Sequence, residues 1–302
     1  MDRDLLIHFP VFLSVARRGG FAAAAAELGM SPSAVSHSIR QIEVRLGQPL
    51  FARTTRSVAL TEAGRSLLDS VGDAFLEIGE AIDRLRSHAG TVAGHLRLSI
   101  PRTALDIVVT PVLAELSRRY PDLVVEIPSE DASIDIISRG FDAGIRLGEM
   151  IAQDMIATRL TPPFRMVTVA SRAYLARMGK PKSIAELSGH NCIRYRLISS
   201  GALYDWELEE DGKDVKVATK GTVIVTDATY AKELALAGVG IAYLMEPLAR
   251  QEIETGELEV VLPDSAVEEP GLFLYYPRKA STAPKLRAFI DVAKEVLSVR
   301  AR

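Results

Sequence analysis

Between Phe21 and Leu46 the chain spells two short helices back to back, and this pair constrains the N-terminal fold more than any other feature. Phe21 to Leu28 contains five consecutive alanines, the residue with the highest helix propensity, and Gly29 closes the segment. Ser31-Pro32 then restarts a helix, with a hydroxyl at the N-cap and a proline in the first helical position. Val35, Ile39, Ile42 and Leu46 follow at spacings of four, three and four on one side. Ser33, Ser36, His37 and Arg40 fall on the other side. Two such helices joined by Gly29-Met30 make a helix-turn-helix, and the alanines let the first approach the second closely. A generic three-helix core with a polar, solvated face is the alternative reading.

The flanks add to the pattern. Phe9, Phe12, Leu13 and Ala16 form the apolar stripe of a preceding helix that stops at Arg17-Arg18-Gly19-Gly20. After Gly47 come two short strands, Leu50-Phe51-Ala52 and Ser57-Val58-Ala59-Leu60. They bracket Arg53-Thr54-Thr55-Arg56, a hairpin tip with two cations that reads as a wing. Thr61-Glu62 caps a long helix to about Ser87, along which Leu68, Val71, Phe75, Ile78, Ile82 and Leu85 are spaced 3, 4, 3, 4, 3. This narrow a/d seam favours a partner helix, most simply the same helix of a second chain, over an intramolecular linker helix.

Charge separates the two ends of the chain. Up to Arg65 there are eight arginines against five acids, a balance of +3, within a chain whose net charge is −3. A basic head on an acidic body suits a polyanion that only the head touches. No apolar run approaches the roughly 20 residues of a membrane helix. The opening Met1-Asp2-Arg3-Asp4 is acidic and unlike a signal peptide. The single Cys192 excludes an intrachain disulfide and a cysteine-cluster metal site. These features lead to the expectation of a cytoplasmic protein with neither metal nor cofactor and no membrane partner.

His88-Ala89-Gly90-Thr91-Val92-Ala93-Gly94 reads as a hinge, and beyond it the pattern changes. Leu96 to Ile100 alternates like a strand, Ala104 to Tyr120 is helical, and Leu123 to Ile127 is the next strand. Strands and helices keep alternating: Ala143–Leu147, Arg165–Ala170, a helix near Tyr174–Met178, Val223–Val225, a helix near Tyr230–Ala237, then Gly240–Leu244. Such βαβ order implies largely parallel sheets, and the length suits two α/β lobes better than one sheet.

The ordered string from Phe21 to Gly64 resembles the LysR-type family of bacterial transcriptional regulators. It is carried by Phe21-Ala22-Ala23-Ala24-Ala25, Leu28-Gly29-Met30-Ser31-Pro32-Ser33-Ala34-Val35-Ser36, Ile39-Arg40-Gln41-Ile42-Glu43, Leu46 to Arg56 and Leu60-Thr61-Glu62-Ala63-Gly64. Looser likeness runs on through Tyr120-Pro121-Asp122-Leu123, Phe141 to Gly148, Asn191 to Tyr195 and Ala237 to Ala242, so it spans essentially the whole chain.

The resemblance implies an α/β multidomain protein: an all-α winged helix-turn-helix over 1–60, a dimerising linker helix over 61–88 and a hinge over 89–94. A two-lobed α/β effector domain follows over 95–302, similar to a type 2 periplasmic binding protein. Lobe I takes 95–162 and 270–302 and lobe II takes 163–269, with crossings near Thr161–Phe164 and Asp264–Gly271. The implied partners are double-stranded promoter DNA, a small-molecule effector, RNA polymerase and further copies of the chain, as a homodimer or a homotetramer built as a dimer of dimers.

Matched to that family, Ser31, Pro32, Ser33, Ser36, His37 and Arg40 lie at base edges or nearby phosphates. Members often carry arginine where His37 stands; histidine lacks the guanidinium fork that takes guanine O6 and N7, which puts a guanine preference there in doubt. Arg53, Thr54, Thr55 and Arg56 fall on phosphates or the minor groove, supplying salt-dependent affinity. Ligands of open α/β lobes bind at strand ends and helix N-termini. Ser99, Pro101, Arg102, Thr103 and Arg146 are therefore the expected effector contacts in lobe I, with Tyr195, Arg196, Ser199, Thr226 and Asp227 in lobe II. The arginines favour an anionic ligand. Surface ion pairing is the alternative for each of these residues.

Two rival classes fit less well. The sequence shows no Gly-rich phosphate loop, no Gly-x-Ser-x-Gly elbow and no His-Glu-x-x-His, which argues against an enzyme. A transport solute-binding protein has no use for a winged helix at its head. An effector-independent regulator is the alternative within DNA binding, and Cys192 reads as a small buried hydrophobe rather than a redox sensor.

Overall fold

The computed structural model describes residues 3–53, 58–87, 92–128, 136–137, 139–148, 151 and 155–300. The chain divides into two compact units: Met1–Ala93 together with Ile134–Asp142, and Gly94–Ser133 together with Ala143–Arg302.

The first unit opens with α1 (Arg3–Leu6), α2 (Phe9–Arg18), α3 (Phe21–Leu28) and α4 (Pro32–Leu46). The short antiparallel pair β1 (Phe51–Arg53) and β2 (Val58–Leu60) follows, and then the long α5 (Glu62–Ser87). Its core joins Phe12, Val15, Ala24, Ala25, Val35, Ile39, Ile42, Leu50, Phe51 and Leu68. Only Ala24 and Ala25 of the alanine run are buried, and these two small side chains sit where α3 meets its neighbours. Phe51 anchors the strand pair to the helices, its ring 5.5 Å from Phe12 and 5.9 Å from Phe21.

Three details differ from the sequence reading. Helix α1 is an additional element. On α2 the fully covered residues include Val11 and Val15, off the expected stripe, because this helix packs against α3, α4 and α5 at once. Leu46, expected on the apolar side of α4, is 42% exposed where the helix runs out past its core partners.

In the second unit, lobe I carries β3 (Gly94–Ser99), β4 (Leu123–Glu126), β5 (Ala143–Leu147), β6 (Met155–Arg159) and β15 (Leu272–Pro277), in the order β4-β3-β5-β15-β6. Over it lie α6 (Arg102–Ala104), a π-helical turn at Leu105–Val109, α7 (Thr110–Arg119) and α11 (Pro284–Arg300). Arg119 donates to Glu295 from both terminal guanidinium nitrogens at 2.7 Å and so fastens α7 to α11.

Lobe II centres on β7 (Phe164–Ser171), flanked by β12 (Ala242–Met245) on one side and β13 (Leu258–Val261) with β14 (Val267–Glu269) on the other. The parallel pair β8 (Arg194–Tyr195) and β11 (Ile224–Val225) adjoins it through a Cys192–Ile241 bridge. A hairpin of β9 (Trp206–Glu210) and β10 (Lys213–Val217), with helices α8 (Arg172–Met178), α9 (Ala228–Leu236) and α10 (Glu246–Thr255), completes the lobe.

The expectation of largely parallel sheets is corrected here. β3 runs parallel to β4 and β5, but β15 is antiparallel to both its neighbours, and every strand beside β7 is antiparallel to it. The cause is the pair of crossings. The chain leaves β6 through Leu160–Pro163 into β7 and returns from β14 through Pro270–Gly271 into β15. The crossings lie side by side: Leu160 N donates to Leu272 O at 2.8 Å, and Leu272 N donates to Thr161 Oγ1 at 2.9 Å. Gly271, at φ 102°, leaves no room for a side chain there; a Cβ would stand 2.7 Å from Thr161 O.

Candidate functional site

The helix-turn-helix is set by local chemistry. Gly29 ends α3 at φ 62°, a left-handed conformation natural to glycine, and its N–H returns to Ala25 O. Ser31 caps α4 by accepting from Ala34 N at 3.2 Å, and Pro32 occupies the first turn. The Ser31 hydroxyl is thereby committed to the cap and to Ser33 Oγ, 2.9 Å away.

Val35, Ser38, Ile39 and Ile42 bury one side of α4. Ser33, His37 and Arg40 are exposed on the opposite side, with Ser36 and Gln41 half-buried beside them. Two members of that side were missed in the sequence: Gln41, whose amide nitrogen lies 3.3 Å from His37 Nε2, and Val44, 70% exposed. Helical spacing from His37 was signal enough for both. The side chain of Arg53 and all of Thr54, Thr55 and Arg56 lie outside the described residues.

Glu27 fastens α3 to α2. It accepts from Ser14 Oγ at 2.5 Å and pairs with Arg17 and Arg18 at 3.3 Å each. These arginines therefore do more than complement a helix C-terminus. Burial pushes the Glu27 carboxyl up, but the Ser14 hydrogen bond and the two guanidiniums outweigh it and hold the group below the usual carboxylate range. A lowered carboxylate contributes stability above its unfolded range and loses it as pH falls from there through its lowered folded value. Glu27→Ala strands the fully buried Ser14 hydroxyl, an expected cost of about 1–3 kcal/mol. Thermal melts at pH 7 and near pH 3 check both parts: the variant melts lower at pH 7 and loses less than the parent on acidification.

On α5 the seam is covered unevenly. Leu68 is 6% exposed within the head core, and Phe75 lies edge-on to Phe9 at 6.5 Å. Ile78 and Ile82 are 53% and 44% exposed, and the Leu85 side chain lies outside the described residues.

In the body, four of the ten predicted effector residues fall into two contacts. Ser99 and Arg146 are buried together at the ends of β3 and β5, Arg146 Nη2 reaching Ser99 Oγ at 3.3 Å and Nη1 reaching Ile145 O at 2.6 Å. Arg102, exposed beyond Pro101 in α6 with Thr103 beside it, reaches across the lobes to Asp227 at 3.2 Å. Asp227 is also the N-cap of α9, accepting from Thr229 N at 2.8 Å and Tyr230 N at 3.2 Å. Tyr195 sits beside Val225 in the β8–β11 pair, one residue before Thr226. Arg196 holds the neighbouring turn by donating to Gly201 O at 2.7 Å, while Ser199 stands exposed in that turn.

A separate cavity of about 310 Å³ opens beside the crossings, lined by Asp106, Ile107, Leu160–Phe164, Pro247, Arg250, Glu254 and Leu297 among others. None of the predicted effector residues borders it. Burial pushes the Cys192 thiol up to about 12, which leaves it a protonated, unreactive core group. Among the described residues no cluster of His, Cys, Asp and Glu is arranged to hold a metal ion. No described helix is long and apolar enough to cross a membrane.

A helix-turn-helix with an adjoining strand pair, a long seam-bearing helix and a two-lobed α/β body joined by paired crossings define a DNA-binding regulator with a small-molecule sensor. The family model "Bacterial regulatory helix-turn-helix protein, lysR family" matches residues 6–65, and "LysR substrate binding domain" matches residues 89–298. The HTH-type transcriptional regulator YcaN of Escherichia coli (strain K12) is 40% identical over 286 residues, covering 95% of this chain and 93% of that protein. PgrR, an HTH-type transcriptional regulator of the same strain, is 33% identical over 294 residues, covering 97% and 98%. The solved structure of CrgA, a LysR-type transcriptional regulator from Neisseria meningitidis, superposes with a TM-score of 0.61 at 28% identity, covering 98% of this chain and 99% of that one. The chain belongs to the LysR family of bacterial transcriptional regulators, as its motifs led us to expect. It is a DNA-binding transcriptional regulator with an effector-binding domain.

Proposed function

We propose that α4 enters the major groove of promoter DNA with Ser33, Ser36, His37 and Arg40 toward base edges and adjacent phosphates, Ser31 and Pro32 fixing where the helix begins. The supporting observation is the burial split on α4, which puts every polar side chain of that set away from the core. Arg53, Thr54, Thr55 and Arg56 take phosphates or the minor groove.

In the body the effector is a small anion that takes Arg102. The Arg102–Asp227 pair carries this reading: a carboxylate of lobe II, seated at a helix N-terminus, is already held against a guanidinium of lobe I. A carboxylate ligand competes with Asp227 for Arg102 and shifts the balance between lobe arrangements, and the altered assembly changes its DNA contacts. Chains pair along the exposed part of the α5 seam, two pairs form a tetramer, and the regulator works in the cytoplasm, without enzymatic activity, beside RNA polymerase. Its functional segments are 1–60, 61–88, 89–94 and 95–302. An effector-independent regulator is the second reading, favoured by the same ion pair, which joins the lobes through side chains of this chain alone.

Calorimetry of the full-length protein with a panel of small carboxylates tests the choice. Asp227→Asn keeps the cap acceptor and removes the competing charge, so affinity for the binding carboxylate is expected to rise about tenfold, roughly 1.4 kcal/mol. Arg102→Ala is expected to abolish the heat of binding. Unaltered binding by Arg102→Ala rejects the anion site.

A further inference from the structure

We infer that Gln41 is a base-reading residue of this regulator and that His37 acts on specificity by holding the Gln41 amide in its reading orientation. This rests on α4 being the groove helix, as proposed above. The starting observation is that Gln41 Nε2 lies 3.3 Å from His37 Nε2, one helical turn away on the exposed side of α4.

An imidazole nitrogen without a hydrogen accepts, and an amide nitrogen only donates, so the contact is written as Gln41 N–H donating to His37 Nε2, with the ring proton on Nδ1. The amide has two N–H groups. In this assignment the one trans to its oxygen goes to His37. The other, cis to the oxygen, stays beside Oε1 and forms a donor–acceptor edge. That edge matches adenine in the major groove: Oε1 accepts from N6–H and the N–H donates to N7. It does not match guanine, which offers acceptors at both O6 and N7.

The rest of the surface supports a reading role. Gln41 is half-buried at the flank of the polar side, and its amide nitrogen meets His37 in an exposed contact. Arg40 and Val44, both exposed, stand on either side of it along the helix. Where a freely rotating glutamine loses rotamer freedom on binding DNA, this one is already restrained by its neighbour, which sharpens discrimination without a new contact. The base facing Gln41 is therefore an adenine. His37 is a positioning residue for it as well as a groove-facing side chain in its own right.

Selection of binding sites by the full-length protein from a random duplex library, followed by sequencing, tests the assignment. The parent is expected to select adenine over guanine at one position by about tenfold. Gln41→Ala flattens that position and leaves the others. Gln41→Glu, which can only accept, turns the preference toward cytosine, whose N4 donates; a merely structural role would not move the preferred base. His37→Ala weakens the adenine preference several-fold without changing its identity. If His37→Ala and Ser33→Ala alter the selected site while Gln41→Ala and Gln41→Glu leave every position unchanged, Gln41 reads nothing and this inference falls alone. If none of the four variants alters it, the groove assignment of α4 falls with it.

Discussion

Gly64→Val is expected to unfold the head while the body keeps its fold. Gly64 sits in the first turn of α5, and a Cβ built on it would stand 2.1 Å from Leu50 O and 3.0 Å from Leu60 Cδ2. Real side chains do not tolerate such an approach, and the nearest atom belongs to backbone that cannot rotate away. That backbone is pinned: Leu50 O accepts from Thr61 N at 2.9 Å, and Leu50 N donates to Glu43 Oε1 at 2.9 Å. Relief requires moving the start of α5 off Leu50 at the entry to β1, which would open the core around Leu50, Phe51 and Leu68. The expected cost is about 3 kcal/mol or more, at the upper end of single-residue effects. Calorimetry should show one lost or much lowered transition against a body transition left in place, together with loss of DNA binding. A single melt at the parent temperature would contradict this packing.

The second large effect concerns α5 farther along. With Ile78→Asp and Ile82→Asp combined, the protein is expected to sediment as an assembly of at most half the parent's mass and to bind DNA at least about a hundredfold more weakly. Two linked heads act as a bivalent reader, and separating them forfeits the effective concentration that the link supplies. Both isoleucines are large, apolar and about half exposed, unlike Leu68 on the same seam, so carboxylates there cost the single chain little. An unchanged sedimentation coefficient would remove the seam as the pairing surface.

The head was legible in the sequence because its information is local. Val35, Ile39 and Ile42 declare a helix face by spacing, Gly29 and Ser31 declare its punctuation, and all five lie within a few turns of each other. Leu46 broke the pattern because periodicity does not say where the core ends. The body was legible as alternating strands and helices but not in its pairing direction. Antiparallel contacts of β15 and β7 arise from a chain that crosses twice between lobes, and crossings are set by residues more than a hundred positions apart, such as Thr161 and Leu272.

One element was legible and went unread. Asp211-Gly212, both at positive φ (53° and 72°), turns the β9–β10 hairpin, with Trp206 and Leu208 alternating inward before it. An Asp-Gly pair between alternating apolar residues is a strong local hairpin signal. For the effector site, residue chemistry at strand ends suggested Arg102 and Asp227 separately. Their mutual pairing, across 125 residues, belongs to the three-dimensional structure alone.

The account depends most on α4 as the element that distinguishes one DNA sequence from another. Fluorescence anisotropy at moderate salt, comparing the full-length protein on its own upstream region and on a scrambled duplex of equal length, tests that directly. The predicted result is a preference of about a thousandfold or more for the upstream region, collapsing in the folded double variant Ser33→Ala, His37→Ala. Equal affinity for the two duplexes, or a preference that survives the double variant intact, would contradict it.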